Sequence, residues 1–100
     1  MTDNTLTDPY IEKLRALKPK FAEMNIKRLR VFGSRARGDA HPDSDLDLLV
    51  DMSDTADMLD FIGLQTELSD ILDIPVDLAT QNSFKHPYIK KSVMEDARDV

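Results

Sequence analysis

Two aspartates separated by one leucine, Asp45 and Asp47, lie in a segment that otherwise has the pattern of a β-strand. Residues two apart on a strand point to the same face, with Cα atoms about 6.5–7 Å apart, so both carboxylates can approach one cation. Without a cation, like charges this close repel each other and raise a carboxyl pKa. Mg²⁺ suits such a pair because it prefers oxygen ligands and usually takes one or two carboxylates, with waters and substrate phosphates filling its other positions.

The same spacing also has an ordinary structural explanation, because a strand with one face in water alternates polar and apolar residues without binding anything. The segment before the pair favours the chemical interpretation. "GSRARG", residues 33–38, contains glycines that allow a sharp turn and a close approach of the backbone to a ligand. Such a turn can present N–H groups and the Ser34 hydroxyl to a phosphate, although a plain glycine turn would have the same composition.

Three helices are predicted around this segment. The first begins at Asp8, a capping residue followed by Pro9, and must end or bend near Pro19. Apolar residues at helical spacing predict a second, amphipathic helix over about 55–73 and a closing helix over about 86–98.

Strands are predicted over residues 26–32 and 45–51, and a third within 73–80. The connection from residue 32 to residue 44 is too short for a crossover, which favours antiparallel neighbours with a helical turn between them. A helix between the second and third strands favours a parallel pair joined by a right-handed crossover. The sequence therefore predicts an α/β (α+β) fold, a single domain with a small mixed β-sheet of about three strands flanked by helices.

The order of these signals resembles a known superfamily. Gly33 and Ser34 are followed by ten residues and then by Asp45, Leu46 and Asp47, which is similar to the signature of nucleotidyltransferases with a polymerase-β-like palm. The short length and the order of elements resemble the minimal nucleotidyltransferases of bacteria and archaea, a family that includes antitoxins encoded beside HEPN-type toxins. The resemblance implies one minimal nucleotidyltransferase domain over residues 1–100.

What the resemblance implies is transfer of a nucleoside monophosphate, usually adenylate, from a nucleoside triphosphate to an acceptor hydroxyl, with release of pyrophosphate. It implies that Gly33 and Ser34 bind the triphosphate tail of ATP and that Asp45 and Asp47 bind two Mg²⁺ ions. Two such ions can activate the attacking oxygen and stabilise the leaving pyrophosphate.

A third carboxylate is expected on a neighbouring strand, where it would ligate a metal or take the proton of the acceptor hydroxyl. Asp77 in "PVDLA" is the matching position, because Val76 and Leu78 are expected to face the core and leave Asp77 on the face of the pair. Asp51 is the alternative, but it lies about 13 Å from Asp47 along the strand.

Arg35 and Arg37 flank the expected phosphate turn, and a guanidinium matches phosphate oxygens well. Either arginine could bind the triphosphate. The alternative is that one of them holds the loop by pairing with Asp39, Asp43 or a helix carbonyl.

Other charged residues receive simpler assignments. Arg28 and Arg30, on the polar face of the first strand, are expected to make surface ion pairs or partner contacts. His41 and His86 lie in expected loops without metal-ligand spacing, so neither is assigned a role.

Composition excludes several functional classes. With 41% hydrophobic and 32% charged residues, the chain has the composition of a soluble globular protein. The absence of cysteine excludes disulfides and thiolate zinc sites, and the net charge of −6 argues against general binding to nucleic acid. No basic leader and no run of about 20 apolar residues is present, so a cytoplasmic protein without membrane contact is expected.

The resemblance implies a Mg²⁺-dependent adenylyltransferase that acts on a partner protein, a cognate HEPN-type toxin, with tyrosine as the acceptor that the family suggests. The main alternative is a binding module that retains the palm and neutralises the toxin by forming a stoichiometric complex. A structural or DNA-binding accessory is a third interpretation, which the acidic balance disfavours.

Overall fold

One four-stranded mixed sheet organises the molecule, whose computed structural model describes residues 8–41 and 44–100. The strands are β1 (Ile26–Phe32), β2 (Leu46–Met52), β3 (Val76–Ala79) and β4 (Arg98–Asp99). Their order across the sheet is β3-β2-β1-β4. The β2–β3 pair is parallel, and β1 is antiparallel to both of its neighbours.

Within the described residues, four α-helices accompany the sheet: α1 (Pro9–Ala16), α2 (Gly33–Arg37), α3 (Met58–Leu72) and α4 (Pro87–Asp96). A short 3₁₀ turn at Lys18–Lys20 comes after α1, and another at Gln81–Ser83 comes after β3. In the part of the chain that the structure describes, no helix is long and apolar enough to cross a membrane.

The predicted start of the first helix is confirmed. The Asp8 carboxylate accepts a hydrogen bond from the Tyr10 N–H at 2.8 Å, and Pro9 occupies the first turn, where a missing N–H costs nothing. The helix ends at Ala16, and the chain continues through a 3₁₀ turn that contains Pro19.

The predicted topology is confirmed around the first two strands. The first strand has the predicted bounds, and the second begins one residue later than predicted. Helix α2 is the helical turn expected between the antiparallel strands β1 and β2, and α3 forms the expected crossover from β2 to the parallel strand β3.

The prediction of about three strands was one short. The closing helix ends at Asp96 rather than near Arg98, and the chain then pairs with the open edge of β1, where Arg98 lies opposite Val31. The backbone groups of β1 pair with β4, so this strand depends on residues 67 to 69 positions earlier in the chain rather than on a local pattern.

The core lies on one face of the sheet, as the alternation in β2 predicts. Leu46, Leu48 and Val50 are fully buried there. Helices α1 and α3 contribute Ile11, Leu14, Leu64, Leu68 and Leu72 to the same cluster, and α2 contributes Ala36.

The outward side of α3 differs from expectation. Met58, Ile62 and Ile71 belong to the apolar pattern that predicts this helix, yet all three are exposed. On the last helix, Ile89 is exposed as well. Helix α3 buries its contact with the sheet through three leucines spaced four apart, Leu64, Leu68 and Leu72, and this contact leaves its other apolar side chains in solvent.

Gly63, in the middle of α3, gives a direct test of this description of the helix. Within the described residues, nothing lies within 4 Å of the position that a Cβ would take, and its φ is not positive. Alanine is a better helix former than glycine by about 0.5–1 kcal/mol. Gly63→Ala should therefore raise the free energy of unfolding by about that amount, measured by urea denaturation; a loss of stability would show that the position is crowded.

Candidate active site

Three aspartates lie near one another around the start of β2. In the parallel pair β2–β3, Asp47 lies directly opposite Asp77. Both residues alternate with buried neighbours, so their side chains lie on the sheet face away from the core. Asp45, which is exposed, comes just before β2 and two residues before Asp47. The structure therefore brings together the three acids that the sequence singles out.

Asp47 is the most buried of the three, and its surroundings disfavour the ionised form of its carboxyl group. Burial raises the pKa of Asp47, and the neighbouring charges of Asp77 and Asp45 raise this pKa further. Arg37 lowers the pKa of Asp47, but it is the smallest of the four influences. The ionised carboxylate is thus short of compensating positive charge, as expected for a group that faces a cation or a cationic complex.

The glycine turn is in contact with this carboxylate. Gly33 has φ +74°, a backbone conformation that residues other than glycine rarely adopt. A Cβ at this position would overlap with Oδ2 of Asp47. The backbone at Gly33 can therefore lie against Asp47 only because the side chain is absent. The turn and the acid pair form one continuous surface.

The sequence did not decide whether Arg35 binds phosphate or holds the loop. Its guanidinium is buried, with Nη1 donating to Oδ2 of Asp8 at 2.8 Å and Nη2 donating to the carbonyl of Ser44 at 2.8 Å. It also lies 4.8 Å from the centre of the Tyr10 ring. Arg35 thus ties the start of α1 to the segment before β2. This matches the alternative in which an arginine holds the loop, with Asp8 and Ser44 as partners in place of Asp39.

Arg37 is the arginine that stays near the acids with an accessible side chain. About half of the side chain is exposed, and its nitrogens donate to Asp96 at 2.9 Å and to Asp39 at 3.3 Å. The Asp39 pair is one of the contacts that the sequence predicts for these arginines. Asp43, the other predicted acidic partner, lies outside the described residues.

Asp51, the alternative third acid, belongs to a different group of charges. Its carboxylate lies 3.8 Å from Nη2 of Arg30, and its Cα is opposite Arg28 in the β1–β2 ladder. Arg28 makes the predicted surface ion pair, a two-pronged contact with Asp99 at 2.8 and 3.0 Å.

The prediction of a surface position for Arg30 was wrong, since only 6% of this residue is exposed. Strand β4 pairs with β1 beside Arg30, and α4 also packs on β1, so elements from the end of the chain cover this part of the polar face. Within the described residues, Nε and Nη2 of Arg30 have no hydrogen-bond partner. The sequence offered no signal for this burial, because the covering segments are distant along the chain.

The acids do not form a ready-made metal cage. In residues 8–41 and 44–100, no group of three histidine, cysteine, aspartate or glutamate side chains converges closely enough to hold a metal ion alone. Mg²⁺ rarely needs such a cage, since one or two carboxylates and substrate phosphates usually suffice. The donors also fit in kind: all are carboxylate oxygens, and the raised pKa of Asp47 would be relieved by a cation. His86 lies elsewhere and caps α4, accepting from the Tyr88 N–H.

These features together define the palm of a nucleotidyltransferase. They are a mixed sheet, an acid pair at the start of one strand, a facing acid on the parallel neighbour and a glycine–serine turn against the pair. The comparison with protein families agrees. The family model described as "Nucleotidyltransferase domain" matches residues 12–100, and the chain belongs to this family of enzymes.

Individual relatives support the assignment over most of the chain. A "Putative protein adenylyltransferase" of Methanocaldococcus jannaschii is 44% identical over 95 residues, which cover 95% of this chain and 94% of the relative. A solved structure of a "putative minimal nucleotidyltransferase" matches with a TM-score of 0.73 and 35% identity, covering 89% of this chain and 94% of the other. A toxin–antitoxin structure with AMP-PNP matches with a TM-score of 0.67 and 26% identity, covering 88% and 69% respectively.

The structural position of Arg35 predicts a large effect on stability. Arg35→Ala removes one partner of a buried ion pair and leaves Asp8, whose side chain is 16% exposed, without its cation. Such a loss should lower the free energy of unfolding by about 3 kcal/mol. Arg37→Ala, which breaks half-exposed pairs, should cost less than about 1 kcal/mol. Equal losses in urea denaturation would contradict the different positions of the two arginines.

The raised pKa of Asp47 predicts how stability depends on pH. Because folding favours the protonated form, the associated stability is present below the ordinary carboxyl pKa and is lost as pH rises through the raised pKa. Asp47→Asn should therefore stabilise the metal-free protein at pH 7, and the gain should shrink toward pH 4. The measurement is urea unfolding in EDTA at both values. Asp51→Asn, which loses a contact with Arg30, is the control and should not stabilise at pH 7.

Proposed function

We propose that this chain is a Mg²⁺-dependent protein adenylyltransferase that transfers AMP from ATP to a hydroxyl of a partner protein and thereby acts as an antitoxin. The partner would be a cognate HEPN-type toxin, and a tyrosine hydroxyl would be the acceptor. One observation carries the proposal: Asp47 and Asp77 face each other across a parallel strand pair, and the Gly33 backbone lies against Asp47.

The relatives support the finer parts of the proposal by analogy. The name of the M. jannaschii relative specifies a protein as the substrate of adenylyl transfer. The toxin–antitoxin structure pairs this fold with a toxin and with AMP-PNP, an ATP analogue. These are properties of the relatives, and they make ATP and a toxin the first substrates to test here.

Asp45, Asp47 and Asp77 would hold Mg²⁺, two ions by the resemblance of the motif. The bound ions would activate the attacking hydroxyl oxygen and offset the negative charge that develops on the leaving pyrophosphate. The protein's own contribution is to keep the donors at the start of β2 and on β3, where the sheet hydrogen bonds fix their separation.

The triphosphate would lie over the glycine turn. The backbone at Gly33 and the Ser34 side chain are at the start of α2, and Gly33 lies against Asp47. These groups suit phosphate oxygens. Arg37 would assist from beside Asp47, whereas the buried contacts of Arg35 make it a positioning residue for the turn.

In the proposed reaction, the acceptor oxygen forms a bond to the α-phosphorus of ATP while the bond from that phosphorus to the bridging oxygen of pyrophosphate breaks. The hydroxyl proton would pass to the Asp77 carboxylate, which is exposed on β3 and accessible to an acceptor presented by another protein. The products are an adenylated partner and pyrophosphate.

Neutralisation by binding alone is the second candidate, and one observation favours it. An exposed apolar surface on α3 lies on the core side of the sheet, away from the three acids. A surface of this kind suits a protein partner, and a stoichiometric complex would neutralise a toxin without chemistry.

Adenylyl transfer should depend on the acid pair. With ATP, Mg²⁺ and the product of the neighbouring gene, which is the proposed toxin, the wild-type chain should increase the mass of that protein by one or more adenylates. Asp45→Asn combined with Asp47→Asn should reduce the rate at least about 100-fold, because the donors of the metal site are lost. Asp51→Asn is the matched control and should retain transfer. A doubly substituted chain that neutralises the toxin as fully as the wild type would refute the catalytic account.

The role of Asp77 can be tested separately. Because Asp77 is exposed and its charge repels that of Asp47, Asp77→Ala should leave the fold intact and should not lower the free energy of unfolding. It should lower the rate of transfer about 100-fold or more, measured by mass spectrometry of the toxin under the same conditions. Full activity in this variant would remove Asp77 from the site.

A further inference from the structure

Helix α3 carries an apolar surface that the rest of the described chain leaves uncovered. Leu59, Ile62, Gly63 and Thr66 recur at i, i+3, i+4 and i+7, which places them along one outward stripe. We call these four residues the α3 stripe. Leu59 is 77% exposed and Ile62 is 54% exposed, and Met58 at the edge of the stripe is 69% exposed.

Gly63 lies at the centre of the α3 stripe without an internal reason for being glycine. Within the described residues, the space where a Cβ would stand is open to 4 Å. A glycine there costs the helix about 0.5–1 kcal/mol relative to alanine. Glycine does, however, allow the backbone of a second helix to approach closely, with Leu59 and Ile62 packing around the contact.

A cavity adjoins the stripe. Its volume is about 280 Å³, and it is lined by Met52, Asp57, Met58, Phe61, Thr80 and Ser83. Met58 therefore borders both the cavity and the stripe. A largely apolar pocket beside an exposed apolar stripe suits an anchoring side chain of a protein partner, the usual centre of an interface.

The charge around the stripe identifies the kind of partner. Asp57, Asp60, Glu67 and Asp70 are exposed on or next to α3. No lysine, arginine or histidine occurs between His41 and Lys85. Two copies of this chain meeting through α3 would bring these acids together, whereas a partner with basic side chains around an apolar seam would neutralise them.

We infer that the α3 stripe is a docking site for a basic amphipathic helix of the partner protein, packed over Gly63 with its lysines or arginines beside Asp60 and Glu67. The identity of the partner as the toxin rests on the proposed function. The stripe and the acids of the active site lie on opposite sides of the sheet, because α3 packs on the core face and Asp47 and Asp77 point away from it. Docking at α3 therefore leaves the chemical site open.

The test measures binding of the product of the neighbouring gene, which is the proposed toxin, to the full chain by isothermal titration calorimetry. Gly63→Gln places a long side chain in the stripe and should weaken binding at least tenfold. Ala16→Gln, an exposed change on α1, is the matched control and should bind like the wild type. Binding should also weaken as salt increases, since surface charges are screened. Unchanged binding by Gly63→Gln, or no complex at all with the wild type, would overturn the inference.

Two further measurements separate the outcomes. In the transfer assay, Gly63→Gln should raise the KM for the toxin and leave kcat nearly unchanged, because the acids are untouched. If the toxin binds through the stripe but never gains an adenylate, the docking inference stands and the catalytic proposal fails. Sedimentation of the wild-type chain alone should show a monomer; a dimer that Gly63→Gln dissociates would assign the stripe to self-association and refute the basic partner.

Discussion

The repulsion between Asp47 and Asp77 is the constraint on which the site depends. The parallel pairing of β2 and β3 fixes the Cα atoms of these residues opposite each other, so both carboxylates stay on the same face of the sheet. Burial of Asp47 strengthens the repulsion by removing water. The apolar core behind the same two strands must offset this cost. A site held in this way is prepared for a cation before the cation arrives, which is how preorganised electrostatics contribute to catalysis.

The glycine turn and the two arginines are positioned around this constraint. Gly33 lets the backbone reach Asp47. Arg35 and Arg37 are two residues apart on α2, and each helical residue advances by about 100°, so their side chains leave opposite sides of the helix. Arg35 enters the protein and fixes the turn to α1 through Asp8, whereas Arg37 stays at the surface beside the acids and joins α2 to α4 through Asp96. One short helix thus joins the site to two other elements.

The parts of this architecture that follow local rules could be predicted from the sequence. Alternation of period two located β1 and β2, and the neighbours of Asp77 placed it on the face of the acid pair. The partners of Arg35 could not be predicted, because Asp8 is 27 residues away and its contact depends on how α1 packs. The burial of Arg30 and the existence of β4 escaped prediction for the same reason: both arise where the end of the chain returns to β1.

In the proposed arrangement, the partner binds on one side of the sheet, at α3, and adenylyl transfer takes place on the other side, at the acids. If a partner were held only at the acids, every contact with the acceptor would have to form and break at the site itself. A second contact on α3, behind the core, would raise the effective concentration of the acceptor without occupying the metal donors. In the proposed function, docking at α3 and adenylation would then be successive steps: the contact at α3 lasts only while the partner is bound, whereas the transferred adenylate persists after the partner has left.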